Sequence, residues 1–371
     1  RIARAMALRI EHRGPDDWGV HDEPEIGLVM SFQRLSIVDL SVAGHQPMLS
    51  ASGRSVIAFN GEIYNAPELA RELESVCQRL RGHSDTEVLL EAFERWGIDA
   101  TLPRLVGMFS VAFFDREERR LTLIRDRLGK KPMYFGTSGA TLFFGSQPKS
   151  FFEHPDWSPE INRDSVAAFM RYGYVPAPRS IYKGLQCLKP GERVDILNGK
   201  VVARGLYWNI RELAARAQRE PMQLSDGEAK AHLQSLLGAA VKQRMVADVP
   251  LGAFLSGGID SSTIAALMQQ ASSRPVKTFS IGFEEADYDE SKHAAAVAQH
   301  LGTEHHELVV RSTDALDAIP MMAEYYDEPF GDASQVPTYL LSKLTRGHVT
   351  VALSGDGGDE LLAGYTLSLI H

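Results

Sequence analysis

From about Val249 onward, the sequence alternates strictly between short apolar runs and longer runs with helical spacing. VPLGAFLS, KTFSIGF, EHHELVV and HVTVALSG are typical of buried strands, whereas DSSTIAALMQQA, ESKHAAAVAQHLG and VPTYLLSKLTRG are typical of helices. Pro337 near the start and Gly347 past the end delimit the last of these helices. This alternation favours an α/β doubly wound, mostly parallel sheet, which binds its ligands at the carboxyl ends of its strands.

The first half of the chain has a different pattern, in which strands and helices each come in runs. Between Gly27 and about Phe144, GLVMSFQRLSIV, RSVIAFNGEIY, GMFSVAFFD, RRLTLIRD and TLFFGS are short apolar segments separated by turn residues. Two helices interrupt them, APELARELESVCQRL and TEVLLEAFERWG, with Gly97 as the expected end of the second. This order favours an α+β layered sandwich. With a linker near 207–224, we expect one domain at residues 1–206 and another at 225–371.

Composition limits the classes of protein to which this chain can belong. Its 371 residues suffice for two cores, and 44% hydrophobic with 23% charged residues is typical of globular proteins. The net charge of −9 gives no basic field for nucleic acid, and no apolar run is long enough to span a bilayer. Two cysteines, Cys77 and Cys187, fit a reducing compartment. Since no signal peptide opens the chain, we expect a cytoplasmic protein without membrane or nucleic-acid partners.

The stretch SGGIDSS, residues 256–262, lies where the first of these strands becomes a helix. Backbone N–H groups, hydroxyls and a helix N-terminus together favour an anion, and the two glycines allow its close approach. No Gly-Lys-Ser/Thr follows, so this is not a Walker A loop. An acid would repel a bare phosphate, so we expect Asp260 to bind Mg²⁺ that bridges phosphates. The alternative is a plain glycine-rich turn in which Asp260 only starts the helix.

A second stretch, SGDGGDE at residues 354–360, also ends an apolar run and again combines serine, glycines and acids. In a doubly wound sheet, both stretches would meet at one edge. We therefore expect Asp260 and Asp359 to share a magnesium ion, which leaves Asp356 or Glu360 for general-base or ammonia-handling work. Each acid alone could be a solvated loop carboxylate.

These residues resemble a family. SGGIDSS resembles the pyrophosphate loop of the ATP-pyrophosphatase superfamily (adenine nucleotide hydrolase-like), and SGDGGDE resembles the second ATP loop of glutamine-dependent asparagine synthetases. The resemblance implies adenylation of a carboxylate, release of pyrophosphate and displacement of AMP by ammonia. The resemblance implies a catalytic role for Asp356, although several members of the family carry Glu at this position. The ATP-binding residues that it implies are Leu255, Ser256, Gly257, Gly258, Asp260, Ser261, Ser262, Ile281, Ser354 and Gly355, with Leu255 and Ile281 against adenine.

The first half resembles the class II glutamine amidotransferase domain of the same enzymes, from HRGPDDWG through RDRLGKKPMYF. The resemblance implies an N-terminal-nucleophile-type αββα sandwich. Arg34 would bind the carboxylate of glutamine as a fork, Asp85 with the Glu62 region would hold its ammonium, and Asn60 with the Gly61 N–H would form the oxyanion hole.

Each of these motifs also has a purely structural interpretation. Ser84 and Glu87 form a capping-box pattern in which Asp85 is a favourable first-turn acid. FNGEIYN could be a hairpin turn around Asn60 and Gly61, and an arginine in a strand, such as Arg34, is often a surface residue.

The family's nucleophile is an N-terminal cysteine, expected roughly thirty positions before His12 and thus upstream of the sequence given. Cys77 lies in an amphipathic pattern and Cys187 in a hairpin-like stretch, so neither is assigned to catalysis. Because RIARAMAL has no initial Met and YTLSLIH follows the second loop directly, we expect a fragment that lacks both termini. Because the nucleophile would lie upstream, we expect this fragment to have no glutaminase activity.

The resemblance implies a glutamine-hydrolysing asparagine synthetase that converts ATP, L-aspartate and L-glutamine to L-asparagine, AMP, pyrophosphate and L-glutamate. Its partners would be these small molecules, its cofactors ATP and Mg²⁺, and a homodimer is left open. One alternative is an amidotransferase of the same architecture acting on another carboxylate, such as a surface-polysaccharide sugar acid or a peptide precursor. Another is a non-catalytic ATP-binding protein. Pyrophosphate release that depends on substrate separates catalysis from nucleotide binding alone.

Overall fold

The computed structural model describes residues 1–75, 80–283, 291–362 and 364. By its internal contacts the chain forms two units, the first comprising Arg1–Met222 with Tyr326–Gly331 and the second Gln223–Tyr325 with Asp332–His371. In the described part of the chain, no helix has the length and apolar character needed to cross a membrane.

The first unit consists of strands in antiparallel sheets together with short helices. Its strands are β1 (Asp17–Glu23), β2 (Leu28–Arg34), β3 (Met48–Leu49), β4 (Ser55–Ile63), β5 (Gly107–Asp115), β6 (Arg120–Arg125), β7 (Tyr134–Ser138), β8 (Thr141–Gly145), β9 (Leu185–Cys187), β10 (Glu192–Leu197) and β11 (Lys200–Leu206). Its helices are α1 (Ile2–Leu8), α2 (Ala66–Glu74), α3 (Asp85–Trp96), α4 (Ile98–Thr101), α5 (Arg163–Tyr172) and α6 (Ile210–Arg219). Helix α6 lies within the stretch that the sequence predicts to be a linker.

The layers of the first unit follow from the alternation of side chains along its central strands. The main sheet has the order β11-β10-β6-β5-β4-β3, and β1-β2 and β8-β7-β9 form two smaller sheets. On one face, Ile57 and Phe59 of β4 pack with Leu89 of α3. On the other face, Val56 packs with Met30 of β2 and with residues of β7. Helix α1 packs against β2, which confirms the predicted α+β sandwich with helices outside two sheet layers.

The second unit alternates helices with parallel strands, as the sequence predicts. In chain order its elements are α7 (Asp226–Arg244), β12 (Leu251–Phe254), α8 (Ile259–Ala271), β13 (Lys277–Phe283), α9 (Ser291–Leu301), β14 (Glu304–Val310), α10 (Ser312–Tyr325), α11 (Gln335–Arg346), β15 (Val351–Leu353) and α12 (Gly358–Leu362). The strand order is β14-β13-β12-β15, and all pairs are parallel. The chain extends the sheet from β12 in one direction through β13 and β14 and then returns to add β15 on the other side. The carboxyl ends of β12 and β15 therefore flank a topological switch point, where doubly wound sheets bind ligands.

Candidate active site

All five residues that the sequence predicts to bind glutamine line one cavity of the first unit. The cavity has a volume of about 330 Å³ and lies among β2, β4, β5 and the start of α3. The predicted residues on its wall are Arg34, Asn60, Gly61, Glu62 and Asp85. Three distant parts of the sequence thus meet at one site, although the residue roles themselves stay predictions.

Asn60 and Gly61 belong to the interior of β4, so the hairpin-turn interpretation of FNGEIYN is wrong. The Asn60 amide nitrogen donates to Ser146 Oγ at 3.3 Å. Gly61 pairs with Phe109 of β5, and a Cβ at position 61 would lie 2.1 Å from the Met108 carbonyl oxygen. Glycine is required here because the neighbouring strand leaves no room for a side chain.

Gln46 fixes the backbone directly before Asn60, a role that the sequence did not indicate. Its amide oxygen accepts from Phe59 N at 2.7 Å, and its amide nitrogen donates to Phe59 O at 3.2 Å. The same nitrogen donates to Thr86 Oγ1 at 3.2 Å. Gln46 is 5% exposed, so these bonds join β4 to the start of α3 away from bulk water.

Asp85 is the first residue of α3 and also faces the cavity. Ser84 caps the helix by accepting from Glu87 N at 3.2 Å, but the carboxylate of Glu87 accepts from the backbone of Arg81 and Gly82 instead of completing a capping box. Asp85 Oδ2 accepts from Ile63 N at 2.9 Å. Burial raises the pKa of Asp85 to about 6, against the lowering effect of its backbone bonds and of Arg34.

Arg34 ends β2 and is 7% exposed, so it is not a surface residue. Its guanidinium donates to the carbonyl oxygens of Val38 at 3.3 Å, Asp39 at 2.5 Å and Ser41 at 3.4 Å. A Cβ at Gly44 would lie 2.0 Å from Arg34 Nη2, so glycine makes room for this arrangement. Arg34 therefore holds its own following loop in addition to lining the cavity.

Two further cations line the cavity, and the sequence pattern predicts no role for either. They are Arg13, from HRGPDDWG, and Lys131, from RDRLGKKPMYF. Burial lowers the pKa of Lys131, and the neighbouring charge of Arg13 lowers it further, whereas Glu62 raises it. Burial also lowers the pKa of Arg13, and the carboxylate of Asp327 opposes that shift. Their cationic character suits an anionic ligand or intermediate.

The two cysteines do not alter this description of the cavity. Cys77 lies outside the described residues. Cys187 is buried, does not belong to the residues that line the cavity, and accepts from Arg125 Nη1 at 3.2 Å. Burial raises the pKa of its thiol, which disfavours the nucleophilic thiolate.

In the second unit, SGGIDSS connects β12 to α8. Ser256 N and Ser256 Oγ lie 3.2 Å and 3.0 Å from Ser261 Oγ, so the loop folds back on the first turn of the helix. Gly257 has a φ of +83°, and a Cβ there would lie 2.7 Å from His293 Cβ. The buried hydroxyl of Ser262 has no hydrogen-bond partner within the described chain. An orphaned donor beside a helix N-terminus fits an anionic ligand such as phosphate.

SGDGGDE, between β15 and α12, contacts SGGIDSS directly. A Cβ at Gly355 would lie 2.7 Å from Ser261 N, and a Cβ at Gly358 would lie 2.4 Å from Asp260 Oδ2. The structure thus brings the two loops together at the switch point, as the sequence predicts. Ser354 Oγ donates to Asp356 Oδ2 at 2.8 Å, and this carboxylate is exposed.

The remaining predicted ATP and metal residues differ in accessibility. Leu255 is 1% exposed and packs in a core cluster with Ala265 and Ala294, so its side chain is committed to the core. Ile281 lies in β13 and is half-buried. Within the described residues, no group of three or more His, Cys, Asp or Glu side chains could hold a metal ion by itself. A magnesium ion here would need ligands from ATP and water in addition to Asp260 and Asp359.

Two family models match the chain, one on each unit. The glutamine amidotransferase domain matches residues 1–208, and asparagine synthase matches residues 232–370. A protein of Methanocaldococcus jannaschii that carries the name asparagine synthetase [glutamine-hydrolyzing] 2 is 35% identical, over 98% of this chain and 72% of its own length. Asparagine synthetase [glutamine-hydrolyzing] 1 of Bacillus subtilis is 32% identical, over 99% of this chain and 56% of its own length. A Mycobacterium bovis protein with the same enzyme name is 36% identical, over 99% and 57%. The chain thus spans little more than half of the last two relatives.

Proposed function

The chain belongs to the family of glutamine-hydrolysing asparagine synthetases, and we propose that it carries out their reaction. ATP and L-aspartate would give β-aspartyl-AMP and pyrophosphate, and ammonia from L-glutamine would then displace AMP to give L-asparagine. The observation that carries this proposal is that one chain combines the predicted glutamine cavity with two ATP-type loops in contact. The whole reaction requires both sites, and neither site alone would account for it.

In the first unit, the cavity would hold glutamine by its charged ends and stabilise the oxyanion of its hydrolysis. Asp85 would accept a hydrogen bond from the α-ammonium of glutamine. Arg34 would donate hydrogen bonds to the α-carboxylate and would still hold the 38–41 loop. The Asn60 amide and the Gly61 N–H would donate to the oxyanion. Because Gln46 and Ser146 already fix this part of β4, the donors need little reorganisation during the reaction.

In the second unit, SGGIDSS would hold the pyrophosphate portion of ATP. The N-terminus of α8 and the orphaned hydroxyl of Ser262 would donate to phosphate oxygens. Asp260 and Asp359 would hold Mg²⁺, which when bound neutralises charge on the phosphates. Asp356 is exposed at the same edge and would accept a proton from the attacking ammonia.

Two finer assignments accompany this proposal. The small-molecule partners are L-glutamine, L-aspartate and ATP. The proposed location is the cytoplasm, which the low cysteine content supports because it suits a reducing compartment. Light scattering tests the homodimer that the resemblance left open.

The proposal is tested by exchange between ATP and labelled pyrophosphate over a panel of carboxylates. In the full-length protein, which would supply the nucleophile, we expect exchange with L-aspartate and asparagine formation with either glutamine or ammonium. Exchange with a sugar acid or peptide carboxylate, and none with aspartate, would assign the chain to the alternative acceptor class. ATP binding without exchange on any carboxylate would mean a non-catalytic protein.

A further inference from the structure

Residues 326–331, which we call the clasp, pack within the first unit although the helices on either side of them belong to the second. In the chain, the clasp directly follows α10 and shortly precedes α11. It carries two neighbouring carboxylates, Asp327 and Glu328, and both make hydrogen bonds to residues of the first unit. The sequence pattern predicts no role for these acids.

Asp327 binds a short turn on the wall of the glutamine cavity. Its Oδ2 accepts from Lys149 N at 2.7 Å, and its Oδ1 accepts from the Gln147 amide nitrogen at 3.0 Å. Lys149 Nζ lies 3.4 Å from Oδ1, and the two side chains are 6% and 11% exposed for Asp327 and Lys149 respectively. A buried carboxylate with this set of donors is a strong geometric constraint on the turn.

The turn that Asp327 holds is the start of a 3₁₀ helix, Pro148–Glu153, whose own N-cap residue, Gln147, provides no side-chain cap. Asp327 supplies the missing acceptor from a distant part of the chain. Ser146 and Ser150, on either side of Gln147 and Lys149, both line the cavity. Ser146 Oγ in turn accepts from the Asn60 amide at 3.3 Å.

The rest of the clasp keeps Asp327 in place. Glu328 Oε1 accepts from Ser180 Oγ and from Ile181 N, both at 2.7 Å, and Oε2 accepts from the Tyr134 hydroxyl at 3.1 Å. Gly331 N donates to Gly173 O at 2.7 Å. With bonds on both sides of it, Asp327 has little freedom to move away from the turn.

We propose that Asp327 is a positioning residue for glutamine hydrolysis, which fixes the 146–149 turn and, through Ser146, the amide of Asn60. This inference rests on the proposed function of the cavity. Asp327 does not need to touch glutamine, because its effect is carried by the turn and by Ser146. Since Asn60 would stabilise the oxyanion only once it forms, a displaced amide lowers kcat more than it raises the KM for glutamine.

The test uses D327N in the full-length protein, which keeps the size of the side chain and removes its charge and one acceptor. We expect kcat for glutamine hydrolysis to fall about 100-fold, with the KM for glutamine changed by less than about threefold. Asparagine synthesis with ammonium as nitrogen donor should be unchanged. S146A should lower kcat as well, and the double variant should be no worse than the poorer single variant, because both act on Asn60.

The matched control is E192Q, the same chemical change at a buried carboxylate of β10 that pairs with Arg204 and does not line the cavity. It should leave glutamine hydrolysis unchanged. Equal loss in E192Q and D327N, or loss of ammonium-dependent synthesis in D327N, would mean a purely structural role and overturn the inference. Amide hydrogen exchange gives a second readout: in D327N, Lys149 N should exchange faster while β4 and β5 do not. If the unaltered protein hydrolyses no glutamine, the proposed function fails. The amide hydrogen exchange of Lys149 N then decides alone whether Asp327 holds the turn.

Discussion

The two candidate sites of this chain differ in how the protein holds the residues that are predicted to bind ligand. In the first unit, Asn60, Asp85 and Arg34 all have hydrogen-bond partners within the protein. In the second unit, Ser354 donates to Asp356, but Asp356 is exposed at the edge of the sheet and Ser262 Oγ has no partner within the described chain. The predicted binding residues of the cavity are therefore already held by the protein, whereas the two loops would be completed by the ATP that we propose binds there.

This difference follows from where each site lies in its fold. The cavity is built on antiparallel strands whose backbone is fixed on both sides, and Gln46 adds a further clamp. The loops follow the ends of parallel strands, where helix N-termini leave N–H groups without intrahelical partners. We expect a preorganised site to lose most activity when a residue that holds its backbone is replaced. We expect a site that is completed by its ligand to lose most activity when a charged residue that binds the ligand is replaced.

The largest effect is expected at the ligand-completed site. D260N should lower asparagine synthesis about 1000-fold without unfolding the protein, because loss of a metal-binding charge removes several kcal/mol of charge stabilisation. Pyrophosphate release at saturating magnesium measures the effect. D359N should behave in the same way.

Asp226 provides the control for this prediction. It is an exposed acid in the first turn of α7, and D226N should leave pyrophosphate release unchanged. Near-normal release in either D260N or D359N would remove that residue from the magnesium site.

The next largest effect is expected for Arg34 in the preorganised cavity. R34A should lower kcat/KM for glutamine by a factor that corresponds to a loss of about 2–4 kcal/mol of binding free energy. The reason is that both a bidentate pair and the support of the 38–41 loop are lost. Ammonium-dependent synthesis should be spared. An equal loss with ammonium would show that Arg34 matters for folding instead of glutamine, and urea unfolding of R34A would then show a lower midpoint.

A moderate effect is expected from pH, through the raised pKa of Asp85 at about 6. Only the carboxylate form can bind the ammonium of glutamine, so lowering the pH from 7 to 5 should raise the KM for glutamine about tenfold. In the protein without glutamine, pH has the opposite effect on the stability of the fold: a higher pH, which favours glutamine binding, lowers the free energy of unfolding. The folded state takes up a proton between pH 3.8 and about 6, so this group makes the fold less stable as the pH rises through that window.

The control for the pH effect is D85N, which cannot titrate at this position. Its KM for glutamine should be high and should no longer change between pH 5 and 7. If the KM of D85N keeps the same pH dependence, another group is responsible.

The smallest effect is expected at Ser262, where the two sites contrast most directly. S262A should raise the KM for ATP about fivefold, since one hydrogen bond to phosphate contributes about 1 kcal/mol. The fold should be as stable as before, because no partner within the described chain loses a bond. The matched control is S165A in α5, another buried hydroxyl without a described partner, which should not change the KM for ATP.

The contrast also explains how much the sequence could predict. The meeting of SGGIDSS and SGDGGDE follows from one rule about the strand ends of doubly wound sheets, so alternation of strands and helices was enough. Gly97 at the end of α3 and Gly347 at the end of α11 follow from local helix-stop signals.

The sequence could not indicate the residues that preorganise the cavity. Gln46 and Asp327 are single polar residues, and the partners that give them their roles lie 13 and 180 positions away. Arg34 shows the same limit, since a pattern predicts that an arginine lies in a strand but not which carbonyl groups it binds. Such clamps depend on tertiary geometry, which leaves no periodic signal in the chain.

The order of strands in the second unit also has a consequence for how the protein folds during its synthesis on the ribosome. Strand β12 pairs on one side with β13, which follows soon in the chain, and on the other with β15, about a hundred residues later. At a synthesis rate of 5–20 residues per second, β12 waits about 5–20 s for this second neighbour. Non-local pairing of this kind is slow, so we expect the nucleotide site to mature last during synthesis. A nascent chain stalled between residues 331 and 351 would then contain the clasp and all the residues assigned to the glutamine cavity, but only one of the two loops of the proposed ATP site.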